Sequence, residues 1–537
     1  MHRQESLLLA LPDPCLLAVL QYCAADDQRS LFSAARAHSR LHQAAAAALR
    51  SITADLPQLQ KAHSVKLYLT NHAQHVSSIN LKATQACPLR VRQIPPELQL
   101  KSLQLEWFDL QLLPGTPRQV SNPFLPQPSF QGVLGDGARV AALTKLQLTD
   151  CDLLDGPGSG ALAALSVLST GLQHLSIRQM FYSGSCKAHF PAGVLPRLQQ
   201  LTYLELAGIT FLEPSKAKFL CLPPIFFFGK DNDAEEGEGE GGGEGEGGEE
   251  GKTAAMQPLQ ALTRLVELRL DDLQFDRGAE DDSPCRIPSS LLPSSTHLKR
   301  LVLSGCVEWE TDVLAGKTQL QHLELHVPDI PGAAVAAGQL LSYIQGLQEL
   351  KHLRLGCLSA VEEGDPPAAA YSALTASSKL QHLDISECKL PEGVWEHLFP
   401  AGRQLQHLQS LNISNVREPD STAPEGSRLV SCCPNLQSLD VRGLRGLNTE
   451  PLAPLQGLSG MHTLRISGWY VLARDGLQAV CGLTMLKVLQ LDAEYPQVTR
   501  EQLLQLTQLQ HLTRCLQRIW GGFCPDCSGR LGMGLRY

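Results

Sequence analysis

Aromatic residues make up only 5% of this 537-residue chain, and charged residues only 18%. No run approaches the roughly 20 apolar residues that a helix needs to cross a bilayer. The apolar stretch Leu7 to Leu11 follows Glu5 and is cut by Pro12-Asp13-Pro14, which makes it a poor secretory signal. The sequence has no Gly-x-x-x-x-Gly-Lys-Ser/Thr loop, no Gly-x-Gly-x-x-Gly after a strand, no His-Glu-x-x-His and no Gly-x-Ser-x-Gly. No catalytic constellation and no cofactor are therefore expected. The expected compartment is the cytoplasm or nucleus.

A strong charge bias is also missing from the body of the chain. The formal net charge is −9, yet residues 231–251 alone hold ten acids and no base, so subtracting −10 from −9 leaves the rest near +1. That balance argues against nucleic acid or an anionic membrane as partner. The sixteen cysteines are diluted along a long chain. They read as reduced thiols rather than a disulfide framework.

What the sequence has is leucine in a fixed phrase. Leu-x-x-Leu-x-Leu begins at Leu143, Leu172, Leu201, Leu265, Leu298, Leu320, Leu350, Leu380, Leu408, Leu436, Met461 and Leu486, with weaker copies at Val76, Leu100 and Leu509. From Leu298 onward the spacing runs from 22 to 30 residues. A period of this size signals stacked units rather than one compact core. Each phrase predicts a short strand whose fourth and sixth residues face inward and whose fifth and seventh face outward. Between phrases, Gly338–Leu350 puts Leu340, Leu341, Ile344 and Leu347 on one helical face, and Asp475–Cys481 and Arg500–Leu506 are similar. Strand plus helix gives an α/β solenoid, a curved horseshoe with a parallel sheet on its concave face.

Three regions follow: a helical segment at 8–48, a linker at 49–75 leading into repeats at 76–515, and a tail at 516–537. Two insertions break the array. Residues 113–137 carry five prolines, which suit an irregular loop. Residues 213–256 centre on a Gly/Glu run too polar to order itself.

The fifth slots offer Arg269, Val302, Glu324, Arg354, Asp384, Asn412, Asp440, Arg465 and Gln490. Of these Arg269, Glu324, Arg354, Asp384, Asn412, Asp440 and Arg465 are the candidate partner-binding residues of the concave face. Glu324, Arg354 and Asp384 would form an alternating charge ladder, either a binding site or a self-satisfied stabilising row. His322, His352 and His382 share the third slot, as do His174 and His511. Such a column could hold a metal, or be a residue copied with the repeat. Cys524-Pro-Asp-Cys527 offers half of a zinc site, with Cys515 and His511 the nearest further ligands. Free thiols in an ordinary tail are the other reading.

The phrase resembles the leucine-rich-repeat family, with Cys151, Cys306 and Cys388 in the ninth slot that family fills with Asn or Cys. The resemblance implies a concave surface that binds protein. The N-terminal segment runs Leu11-Pro12, Leu16-Leu17, Val19-Leu20, Tyr22, Asp27, Leu31, Arg36, Arg40-Leu41. By apolar spacing it is a helical hairpin. In residue order it resembles an F-box, departing at Pro14, at Gln28 after the central Asp, and at His38 or Ser39 where tryptophan is common. That resemblance implies a substrate-recognition subunit of a cullin-RING ubiquitin ligase. Leu11, Pro12, Leu16, Leu17, Leu20 and Leu31 would hold a Skp-type adaptor, and the repeats an unknown protein substrate, in a chain that is monomeric within its complex. The alternative is a scaffold without ligase association, such as a cytoskeletal or axonemal protein, with residues 8–48 serving only as an end cap.

Overall fold

The structure is a computed structural model that describes, with short gaps, residues 11–26, parts of 41–83, 89–91, 99–110, 142–153, 170–179, 188–212, 261–275, 286–287, 296–326, 337–358, 366–417, 424–444, 453–467, 479–493 and 514–519. Both insertions, the second half of the N-terminal hairpin with Leu31, Cys306, the stretch 500–506 and the Cys524–Cys527 pair lie outside the described residues. The chain forms two compact units, Met1–Leu265 with Asp272–Asp281, and Val266–Asp271 with Asp282–Tyr537.

In the first unit six strands form one parallel ladder: Ser51–Asp55, Ser78–Lys82, Ser102–Glu106, Lys145–Thr149, His174–Arg178 and Tyr203–Ala207. In the second unit ten strands do the same, from Glu267–Asp271 through His322–His326, His352–Gly356 and His382–Asp384 to Arg514–Ile519. The cause is the phrase itself. Leu323 pairs with Leu353 and Leu353 with Leu383, so equal slots stack at the same height. Leu320, Leu323 and Leu325, with the matching leucines on either side, are fully buried. Each such side chain contributes roughly 1.5–3 kcal/mol by burial. The second-slot carbonyl locks the register, since Lys351 accepts from the amides of both Gln381 (2.8 Å) and His382 (3.0 Å).

After seven of the described strands the chain turns at the eighth slot in left-handed backbone. Asp150, Gly208, Asp272, Gly305, Glu387, Asn415 and Gly443 all have φ between 46° and 71°. Gly, Asn and Asp tolerate this region best, so Glu387 is the costly occupant. The ninth slot then points back inside. Cys151 and Cys388 are buried there, with Sγ reaching the Leu105 and Leu355 carbonyls at 3.4 and 3.2 Å.

On the return path Ala337–Gln345 is an α-helix with Leu340, Leu341 and Ile344 buried, as the sequence pattern requires. Elsewhere the return is shorter: 3₁₀ turns at Thr311–Leu314, Ala368–Thr375 and Ala453–Gly457, and brief helices at Val394–Leu398 and Gly426–Cys432. Narrow parallel ladders also follow the turn, such as Ala188–Pro191 beside Ile209–Leu212.

Both ends of the expected repeat region need correction. Within the 49–75 linker, Ser51–Asp55 is already a ladder strand, with Ile52 buried. Leu49-x-x-Ile52-x-Ala54 is a copy whose sixth slot holds a small alanine, which hid it. At the far end Leu489 pairs with Cys515 and Leu491 with Gln517. The last strand therefore has Cys515 in the fourth slot, three residues later than a copy counted from Leu509 would have it, and His511 lies outside the described residues. A start at Leu509 would put Arg514 in the sixth slot, whereas the observed register puts the uncharged Gln517 there, which costs less to desolvate.

Glu387 is exposed, so its substitution tests the turn alone. Glu387→Val is expected to lower stability by about 1–2 kcal/mol relative to Glu387→Gly, because a β-branched residue is worst in left-handed backbone. Equal denaturation midpoints for the two variants would contradict the turn geometry.

Candidate functional site

The outward slots of the second unit gather a polar row across neighbouring strands. Arg354 stands between two carboxylates, with Nη1 2.8 Å from Glu324 Oε1 and Nε 3.5 Å from Asp384 Oδ2. Asp384 is fixed from its other side, since its Oδ1 accepts from the amide and the hydroxyl of Ser386 at 3.0 and 2.7 Å. Asn412 repeats this motif with Ser414. Asp440 is buried and gripped by Arg442, with Nε and Nη2 at 2.9 and 2.8 Å, while Arg465 Nη1 lies 3.6 Å away. Cross-strand pairs of this kind contribute about 0.2–1 kcal/mol each.

Beside the row stands the histidine column. The rings of His322 and His352 are 5.2 Å apart and tilted; those of His352 and His382 are 4.2 Å apart and stacked at 8°. Stacking turns π faces toward each other, whereas chelation needs in-plane nitrogen lone pairs to converge. Among the described residues no group of three or more His, Cys, Asp or Glu side chains is arranged to hold a metal. Burial first, and then the neighbouring His382, His322, Arg300 and Lys351, push the His352 imidazole down to about 4. Burial and His322 lower His382 as well. The facing His322, with Nε2 3.8 Å from Glu324 Oε2, is the largest influence holding the Glu324 carboxyl below the usual range. Burial opposes it, and the charges of Arg354 and Arg269 add to it. His352 and His382 are thus neutral near pH 7.

Comparison with solved structures finds repeat proteins of the same general kind. A leucine-rich-repeat protein of Leptospira interrogans is 16% identical, with 89% of this chain and 92% of that one covered and a TM-score of 0.44. An internalin of Listeria monocytogenes is 15% identical, over 64% and 81%, with a TM-score of 0.33. The ectodomain of the Arabidopsis receptor kinase HAESA, solved with a peptide hormone ligand, is 15% identical, over 88% and 72%, with a TM-score of 0.36. No family model and no curated protein matches the chain. The deciding observation is internal: slot four lies beside slot four from strand to strand in both units. The fold is an α/β leucine-rich-repeat solenoid.

Within the leucine-rich-repeat frame the expected binding residues divide. Glu324, Arg354 and Asp384 meet directly, and Asp440 meets Arg465. Asn412 turns to its own strand end, and Arg269 acts on Glu324 through its charge. Asp440 is buried beside the more exposed Arg442 and Arg465. Sequence reasoning missed Arg442, whose seventh slot was the available signal. It also missed a cluster in the first unit. There the buried Glu205 accepts from Ser176 Oγ at 2.6 Å and Tyr203 Oη at 3.0 Å, with Arg178 Nε 3.6 Å away. The Tyr203 ring stacks on His174 at 3.9 Å, and burial pushes His174 down to about 4. Glu205 and Arg178 sit in the fifth and seventh slots, so the same rule would have found them.

A histidine depressed from 6.5 to about 4 binds fewer protons folded than unfolded, so its contribution is complete above about pH 6.5. It is lost as pH falls from there toward 4. The His352 imidazole carbon shift is expected to titrate near pH 4, and His352→Gln to flatten the acid limb of the thermal stability curve. A midpoint near 6.5 would mean that the stack does not persist in solution.

Proposed function

We propose that this chain is a non-catalytic protein-recognition module, and that it acts as the substrate-recognition F-box/leucine-rich-repeat subunit of a cullin-RING ubiquitin ligase. The observation that carries the ligase part lies in the helix Asp13–Asp26. Its inner face buries Leu16 and Leu20. Its outer face leaves Cys15, Ala18, Val19 and Tyr22 uncovered, with Tyr22 77% exposed. These four positions follow i, i+3, i+4, i+7 spacing and form one stripe. An apolar stripe with a protruding tyrosine on a helix that needs only one face for its own core is a surface suited to a partner.

Of the adaptor-binding residues expected from the sequence, Leu11, Pro12 and Leu17 retain exposure, while Leu16 and Leu20 belong to the core. The outward row then serves the second partner, the substrate. The competing reading, an end cap on a scaffold protein, is favoured by the burial of Leu16 and Leu20, since a solenoid end must be covered.

Purified chain and Skp-type adaptor are expected to form a complex that Val19→Asp with Tyr22→Asp weakens about tenfold or more, without loss of thermal stability. Failure of the intact chain to bind, or unaltered binding by the double variant, would leave the cap reading.

A further inference from the structure

The outward ion pairs share an asymmetry. Arg354 is 52% exposed above Glu324 and Asp384 at 18% and 25%. Arg465 is 41% exposed above Asp440 at 3%. In the first unit Arg178 is 40% exposed above Glu205 at 5%. In each pair the carboxylate is the less exposed partner and the guanidinium the more exposed one. Formal charge along the face is nearly balanced. From the strand Arg300–Ser304 to the strand Thr463–Ser467, the third, fifth and seventh slots hold four arginines (Arg300, Arg354, Arg442, Arg465) against three carboxylates (Glu324, Asp384, Asp440). Depth breaks that balance, because an approaching molecule meets guanidinium first. His352 and His382 beside it add no positive charge near neutral pH, and their stacked rings leave a flat border.

We infer that the outward face of the second unit binds an acidic peptide segment, its carboxylates seated on Arg354 and Arg465. The inference rests on the protein-recognition reading above and names its partner's chemistry. Arg354 Nη1 donates to Glu324 Oε1 at 2.8 Å and Nε forms a longer ion pair with Asp384, out of five N–H donors in all. Its remaining donors, on the exposed side, can take a carboxylate in a charge-assisted pair. The two partly buried carboxylates hold the guanidinium in place beforehand, so little side-chain freedom is lost on binding. A lysine-rich segment would instead meet arginine before it reached any acid, and is rejected by charge.

The test is fluorescence anisotropy of the full chain with a labelled glutamate-alanine peptide, its glutamine-alanine counterpart and its lysine-alanine counterpart. The glutamate peptide is expected to bind at least about tenfold more tightly than either of the others, and to weaken as salt rises. Arg354→Gln with Arg465→Gln should remove that preference, while Arg354→Lys keeps part of it. Circular dichroism melting checks that each variant folds. A variant that does not fold leaves the comparison between the three peptides on the native chain as the deciding one. Equal binding of the glutamate and glutamine peptides, or a preference for lysine, overturns the inference. Adaptor binding measured on the same arginine variants separates the two claims: it should stay unchanged, and its absence in the native chain would count against the ligase reading alone.

Discussion

One constraint organises this protein: neighbouring strands pair in parallel with equal slots side by side. Leu353 lies between Leu323 and Leu383, and the second-slot carbonyls accept two amides each. A one-residue slip would turn every leucine of a strand outward and bring charged residues such as Arg354 and Asp384 in. Burial of leucines and solvation of ions both oppose that slip, so the register is held from two sides. The left-handed turn at the eighth slot returns the chain in the same sense after strands in both units.

The register that packs the core also writes the surface. Because fifth slots stack on fifth slots, Glu324, Arg354 and Asp384 come together although some 30 residues separate each from the next. The histidines of the third slot stack for the same reason. Leucine fixes where such residues stand and is silent about which they are. The outward residues can therefore change along the rows without disturbing the fold.

Much of this was legible in the leucines. Their spacing gave the strands, the inward slots and the helix around Leu340 and Ile344, because burial depends on a pattern the letters carry directly. The strand at Ser51–Asp55 was hidden because Ala54 fills a slot expected to hold leucine. The last strand was misplaced because Leu509 and Leu512 offer competing starts, and the choice depends on where Arg514 goes. The ion pairs were legible as neighbours but not in depth. That Asp440 lies buried under Arg442 and Arg465 follows from side-chain reach across strands, which spacing does not encode. The helix Asp13–Asp26 is apolar on both faces, so the sequence alone could not say that Leu16 turns in and Tyr22 out.

The most direct test of the shared register is a cross-strand disulfide. Ser410 and Ser438 are paired in adjacent strands, both third-slot and both partly exposed. Neighbouring strands bring such backbones within the roughly 4.4–6.8 Å that a disulfide spans. In the Ser410→Cys, Ser438→Cys variant, mild oxidation followed by peptide mapping is expected to find these two positions joined. A thiol at position 438 left free or linked elsewhere, in protein that melts like the native chain, would contradict the register on which both the core and the outward row depend.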